Sequence, residues 1–242
     1  MSDILEVKNL KKSYGPKVVH KSVTFSLKRG ETLGLLGNSG TGKSVLLRAI
    51  IGLEQIDEGE ILFQKKRIDN LTETELYKIR QQISYAFQTG ALFDSLSVYE
   101  NIAYPLFEHT NLTEEEVEKK VREILKVVRM ETAFDLMPSD LSGGMQKRVG
   151  LARAMSIGPE ILLYDEPTAG LDPVNVDMVL EVMTRFKEQG VSGIFVTHDI
   201  PAAKKVCDRI MILKDGVVGF LGTVSEFESS QDPFVKSFLT GK

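Results

Sequence analysis

Between residues 37 and 44 the chain reads Gly37-Asn38-Ser39-Gly40-Thr41-Gly42-Lys43-Ser44. Four free positions separate the first glycine from the closing Gly-Lys-Ser. Thr32 to Leu36, just before it, is a short apolar run that predicts a strand. Val45, Leu46, Ala49, Ile50 and Leu53, just after it, predict one face of a helix. Few folds let a buried strand feed a helix through such a loop, and those that do are α/β. Glycines allow the tight curvature and let backbone N–H groups point at a chain of phosphates. The helix adds the positive end of its dipole. Lys43 is placed to reach the β and γ phosphates of a nucleotide, and the Ser44 hydroxyl to ligate Mg2+. The bland alternative is a glycine turn that merely joins two elements, and the strand and helix on either side argue against it.

The rest of the chain agrees with an α/β reading. Leu5, Val7 and Leu10 precede Lys11-Lys12. Val19, Val23, Phe25 and Leu27 alternate imperfectly with His20, Thr24, Ser26 and Lys28, so the first thirty residues predict β structure. Tyr14-Gly15-Pro16 reads as the turn between them. Gly59–Phe63 and Ile83–Phe87 predict strands. Glu73–Gln81 predicts a helix capped by Thr72 and Glu75. Thr113 followed by Glu114, Glu115 and Glu116 marks another helix start, with an apolar stripe through Val117, Val121, Ile124, Leu125 and Val128. Its pairs Glu115–Lys119, Glu116–Lys120 and Glu118–Arg122 describe a solvated face. Strands and helices alternate again after Ile161, with Asp215-Gly216 as a two-residue hairpin turn. The expected architecture is a mixed sheet with an antiparallel β portion, formed by 1–88 and 159–222. A helical lobe is expected over 89–158, and a C-terminal tail over 223–242.

Composition removes several classes. The one cysteine, Cys207, excludes an intrachain disulfide framework. MSDILEVKNL lacks the basic start and apolar stretch of a signal peptide, and no run approaches 18 apolar residues. A net charge of −4 with mixed signs predicts no nucleic-acid partner. The expectation is a soluble intracellular chain that meets a membrane, if at all, through a surface patch. The three histidines are scattered, and none pairs with Cys207 in a zinc spacing.

Further residues carry chemistry. Ile161-Leu162-Leu163-Tyr164-Asp165 ends a buried strand in a carboxylate, at the sheet edge where a phosphate loop opens, so Asp165 is expected to hold Mg2+. Glu166 follows, and a carboxylate beside a γ phosphate can act as general base on an attacking water. His198, after the apolar strand Gly193–Thr197, sits on the same expected edge, where its imidazole can hydrogen-bond a γ phosphate. His20 and His109 are assigned no role; the first falls on the polar side of a strand, the second in a loop. Leu141-Ser142-Gly143-Gly144-Met145 opens a helix and is a second anion-binding design. Two such sites about a hundred residues apart do not easily serve one nucleotide within one chain, but can do so if two chains meet head to tail.

These motifs, in this order, resemble the ATP-binding cassette ATPases, the P-loop nucleotide-binding subunits of ABC transporters. Gly37–Ser44 resembles Walker A, and Gln88 the Q-loop glutamine that reaches Mg2+. Leu141–Met145 resembles the signature, Ile161–Asp165 Walker B, and Glu166 the catalytic glutamate. Ala169–Asp172 resembles the D-loop, His198 the switch histidine, and Tyr14 the aromatic that stacks on adenine. The resemblance implies ATP and Mg2+ as cofactors, with Ser44, Gln88 and Asp165 at the metal. It also implies a dimer in which Ser142, Gly143 and Gly144 of one copy cap ATP held by the other. One departure stands out: Met145 replaces the usual glutamine, while the serine and glycines that meet the anion are intact.

Finer features point to a subgroup. Phe87 to Leu106, Leu136-Met137-Pro138-Ser139, the signature methionine and the ending Asp232–Leu239 are similar to the ATPases of Mla phospholipid-transport systems. That likeness implies a permease in the inner membrane of a diderm bacterium, an MCE-domain lipid-binding partner, and a peripheral place on the cytoplasmic face. Ala91, Leu92 and Phe93 are expected either to receive a coupling helix of that permease or to form core of the lobe. An importer of small polar solutes is the chief alternative. A soluble cassette ATPase acting on DNA or ribosomes usually carries two cassettes or a long coiled coil, and neither is present. A GTPase would need an Asn-Lys-x-Asp loop, a kinase would leave the signature unused, and Glu166 speaks against a subunit without turnover.

Overall fold

The computed structural model describes residues 2–240; Met1 and the last two residues of the expected C-terminal tail lie outside them. The chain divides into two compact units, residues 1–79 with 192–242, and residues 80–191. The second is wider than the helical lobe expected over 89–158, because the strands on either side of that lobe belong with it.

The first unit begins with β1 (Asp3–Tyr14) and β2 (Lys17–Lys28), an antiparallel pair closed by the Gly15-Pro16 turn. Then come β3 (Thr32–Leu36), α1 (Lys43–Ile50), β4 (Glu58–Phe63), β5 (Lys66–Arg67) and α2 (Glu73–Arg80), which ends at the boundary. The second unit holds β6 (Ile83–Ala86), α3 (Val98–His109), α4 (Glu114–Val127), α5 (Gly143–Met155), β7 (Ile161–Asp165) and α6 (Pro173–Glu188). The chain returns to the first unit with β8 (Ser192–Val196), α7 (Ile200–Val206), β9 (Arg209–Lys214), β10 (Val217–Thr223), α8 (Val224–Ser229) and α9 (Pro233–Thr240).

Strands of the first unit lie in the order β5-β4-β1-β2-β10-β9-β3-β8. The side from β5 to β2 is antiparallel, while β3 runs parallel to both β9 and β8. All five residues of β3 are buried, as expected of a strand covered on both faces. Its carboxyl end opens directly into the phosphate loop. The β9–β10 hairpin turns through Asp215 (φ 48°) and Gly216 (φ 81°), the pair of positive φ values that a two-residue turn demands. In the second unit β6 and β7 run parallel, with Ala86 opposite Tyr164. Thr113 and Glu116 form a reciprocal capping box on α4, and Glu118 and Arg122 pair at 2.7 Å.

Three local expectations are corrected. His20 is fully buried, not on the polar side of β2. The N–H groups of Lys21 and Ser22 both donate to the Gly216 carbonyl, at 2.7 and 3.3 Å, a two-against-one arrangement that shifts the alternation by one residue. His109 ends α3 instead of lying in a loop. Pro105 sits inside that helix and removes one i→i−4 bond without ending it. Leu53 lies beyond the end of α1 and is exposed, while Leu47 takes a place in the core.

Candidate active site

One group of candidate residues, in the first unit, is built on the β3–α1 junction. Gly37 (φ 156°), Gly40 (φ 80°) and Gly42 (φ 91°) carry the chain around the loop. Gly42 also seats the loop tightly: a Cβ there would come within 2.4 Å of Val19 Cγ1 and 2.7 Å of His20 Cε1. Burial pushes the His20 imidazole below its usual pKa, and the Gly42 backbone pulls it the other way. Asn38, Ser39 and Gly40 are exposed, and a Cβ on Gly40 would meet nothing within 4 Å. Helix α1 starts with no side-chain cap and no acidic residue in its first turn. Its positive end is therefore left to an external anion. Lys43, 7% exposed, donates to the carbonyls of Gly37 at 2.9 Å and Asn38 at 3.2 Å, so its ammonium is held against the loop. These features fit a polyphosphate.

His198 lies beyond β8 and is exposed. It lines a cavity of about 780 Å³ with Gly37, Asn38 and Ser39, so the histidine and the loop are brought together. Lys214 and Phe234 line it too, with the Lys214 ammonium 4.2 Å from the Phe234 ring centre. The sequence pattern gave no sign that α9 returns to this cavity. Tyr14, at the end of β1, is 43% exposed and has the Lys12 ammonium 4.8 Å from its ring centre. An exposed aromatic face of this kind suits stacking on a base.

A second group, in the second unit, gathers around the end of β7. The Asp165 carboxylate accepts a hydrogen bond from the Tyr85 hydroxyl at 2.6 Å. Glu166 has φ 49°, a left-handed conformation that costs a non-glycine residue about 1–3 kcal/mol and is found where function fixes the backbone. Gln88 Nε2 donates to Glu166 Oε2 at 3.4 Å, so the amide oxygen is the end of the side chain with the chemistry to ligate a cation. Carboxylate and amide oxygens are hard donors of the kind Mg2+ prefers, so Asp165 and Gln88 carry the donor chemistry for that ion within the second unit, and the Ser44 hydroxyl in the first unit is a donor of the same kind.

Ser142 caps α5 by accepting from the Met145 N–H at 3.4 Å, and Met145 leaves this cap intact. A Cβ on Gly143 would meet nothing within 4 Å, so the helix start is open to an anion. Asp172 is the N-cap of α6, accepting from the N–H groups of Val174 and Asn175. The Asn175 side chain, then its backbone, hold the Asp172 carboxyl below the usual range.

Sequence reasoning missed Tyr85 and Lys147. The Lys147 ammonium donates to the Ala169 carbonyl and so ties α5 to the loop before Asp172. Burial pushes its pKa down, and the Glu166 carboxylate opposes that shift. Both contacts join residues far apart in sequence, where no local pattern signals them.

Comparison with known proteins shows the family. The family profile described as ABC transporter matches residues 20–169. The ATP-binding protein MlaF of an intermembrane phospholipid transport system, from Haemophilus influenzae, is 37% identical over 241 residues, 99% of this chain and 91% of that protein. The methionine import ATP-binding protein MetN 1 from Bacillus cereus is 37% identical over 242 residues, 98% of this chain and 70% of that protein. Among solved structures, a dimeric ATP-binding cassette in a post-hydrolysis state with ADP and Pi superposes with a TM-score of 0.84. That cassette is 34% identical, and the match covers 91% of this chain and 98% of the cassette. The chain belongs to the ABC transporter family and is an ATP-hydrolysing enzyme of the ABC type.

Proposed function

We propose that the chain hydrolyses ATP in a head-to-tail dimer that powers a membrane permease, and that the cargo is phospholipid moved between the inner and outer membranes of a diderm bacterium. In this reading Gly37–Ser44 binds the triphosphate, with Lys43 on the β and γ phosphates and Tyr14 on the adenine. Ser44, Gln88 and Asp165 hold Mg2+, which when bound neutralises charge on the phosphates. Glu166 accepts a proton from the attacking water, with Gln88 beside it fixing the carboxylate. His198 donates to the γ phosphate, and Ser142, Gly143 and Gly144 cap the ATP of the second copy. Asp172 belongs to the same dimer contact. The dimeric cassette with ADP and Pi supports the pairing.

The observation that carries the transport reading is a set of exposed aromatic side chains. Phe87, Phe93, Tyr104 and Phe107 are all 44–49% exposed, and they fall within or beside the stretch whose sequence resembles the Mla ATPases. Phe93 and Tyr104 rings lie 5.4 Å apart. Exposure of Phe93 removes the reading of it as lobe core. Apolar surface of this kind is what a partner covers, and we assign it to the permease's coupling helix. An MCE-domain lipid-binding protein completes the complex, which holds the chain at the cytoplasmic face of the inner membrane. The test is purification of the intact complex with its bound molecules. Copurifying phospholipid supports the reading. A polar solute in its place, as the methionine-import relative suggests, would replace the cargo and leave the ATPase intact.

Two predictions arise here. Phe93→Ala should leave the melting temperature of the isolated chain nearly unchanged, since a half-exposed side chain contributes little to stability. It should weaken pull-down of the copurifying permease, because truncating an interface anchor costs more than about 1 kcal/mol. A lowered melting temperature with normal pull-down would reject the docking role.

Ser142→Arg in a Glu166→Gln background should block ATP-driven dimerisation in analytical ultracentrifugation. ATP favours the closed form only through contacts which that form adds, and a bulky cation at the open start of α5 prevents them. A variant that still dimerises with ATP removes the signature from the dimer interface.

A further inference from the structure

We propose that Arg153 is the positioning residue that locks the signature helix α5 to the loop after Gln88, so that movement of α5 moves the exposed ring of Phe93. The inference rests on reading Phe93 as a docking residue, and adds how that surface is joined to the nucleotide cap.

Arg153 lies on the last turn of α5, the helix that Ser142 caps. At 1.5 Å per residue the two are roughly 16 Å apart along the axis. One guanidinium nitrogen, Nη2, donates to the carbonyls of Gly90 at 3.0 Å and Ala91 at 2.7 Å. The other, Nη1, reaches Asn101 Oδ1 at 3.4 Å, and the guanidinium carbon lies 5.2 Å from the Phe93 ring centre. All of these partners are neutral. Burial pushes the guanidinium pKa down, and among the described residues no carboxylate offsets it. A charge held this way is costly, and what it gains here is a fork that grips two successive carbonyls and a ring.

The loop needs such a grip. Gly90 and Gly150 meet backbone to backbone: a Cβ on Gly150 would come 2.8 Å from the Gly90 Cα, and a Cβ on Gly90 2.8 Å from the Gln146 carbonyl oxygen. Two smooth glycine surfaces touch there without interlocking side chains. Ala91 takes φ 45°, a conformation that must be held from outside. Asn101, fully buried, completes the frame on the far side. Its amide donates to the carbonyls of Phe93, Leu96 and Ser97 and its oxygen accepts from the Phe93 N–H. The loop is thus a rigid piece bolted to α5 at Arg153. A helix moves as a body, so a shift at its Ser142 end reaches Phe93 only if the bolt holds.

The chain has no tryptophan, so Phe93→Trp places a single indole at the end of this linkage. The experiment uses the full chain carrying Phe93→Trp and Glu166→Gln, with Mg-ATP as ligand, and reads the indole emission. A fluorescent ATP analogue reads affinity separately. ATP is expected to shift the emission. Adding Arg153→Met should reduce the shift at saturating ATP at least several-fold while affinity stays within about two-fold. Arg153→Lys keeps a cation near the ring but not the fork, folds as the parent does, and should give an intermediate shift. A merely structural arginine would lower the melting temperature and leave the ATP-induced shift in place. The proposal is overturned if ATP produces no shift in the parent, or if the shift is unchanged in Arg153→Met or, where that variant does not fold, in Arg153→Lys. None of these readings involves the permease, so a failed pull-down result for Phe93 and a failed linkage are told apart.

Discussion

Glu166→Gln is expected to lower turnover of ATP by about 100-fold or more, within the usual range for loss of a positioned general base, while ATP binding persists. The amide keeps the size of the carboxylate and can still accept a hydrogen bond from Gln88, which sits 3.4 Å away. It cannot take a proton from water. The backbone of Glu166 is already fixed in a left-handed conformation just after β7, so a near-isosteric change leaves the geometry of Asp165 and Tyr85 undisturbed. The residues proposed to grip the triphosphate lie in the loop at 37–44 and are untouched by the change. Phosphate release at saturating ATP measures the first effect, and titration with a fluorescent ATP analogue the second. Similar turnover in the variant and the parent would remove the proton-accepting role from Glu166. Loss of binding together with turnover would mean that the carboxylate serves the fold or the nucleotide, not the water.

What could be read from sequence was local. The strand–loop–helix at β3 and α1, the buried strands β7 and β8, and the Thr113 cap of α4 are each set by a short run of residues, and each forms as expected. The misreadings came where distant chain segments decide. His20 faces the core against the alternation because the bulge beside it depends on the Gly216 carbonyl, almost two hundred residues away. The loop expected at His109 is helix instead, because buried Val98, Ile102 and Leu106 hold α3 in place through Pro105. Lys147 and Tyr85 matter through single long-range hydrogen bonds, which have no period. Whether Phe93 belonged to core or surface could not be decided from an apolar triplet, since both uses want the same residues. Only its exposure separates them.

Lys43→Ala should lose ATP affinity by about ten- to a hundred-fold, since a hydrogen bond to a charged group is worth about 1.5–3 kcal/mol and each 1.4 kcal/mol is tenfold in binding. The lysine is the first residue of α1 and is 7% exposed, so its charge acts in a partly dry setting where little solvent screens it. Its ammonium has three donors, and its bonds to the Gly37 and Asn38 carbonyls hold it at the loop, where a phosphate chain would meet it. Removing the side chain therefore does two things. It deletes a cation facing the β and γ phosphates, and it leaves two loop carbonyls short of a donor. The second effect acts without nucleotide, so the melting temperature of the nucleotide-free chain measures it alone. Lys43→Arg separates the effects further. It keeps the charge, but its planar fork is larger than the ammonium, and at a site this closed it should recover only part of the affinity. The expected order is parent, then Arg, then Ala, read by titration with a fluorescent ATP analogue. Equal affinity in all three proteins would mean that the nucleotide's phosphates lie elsewhere, and the assignment of residues 37–44 as their cradle would fall with it.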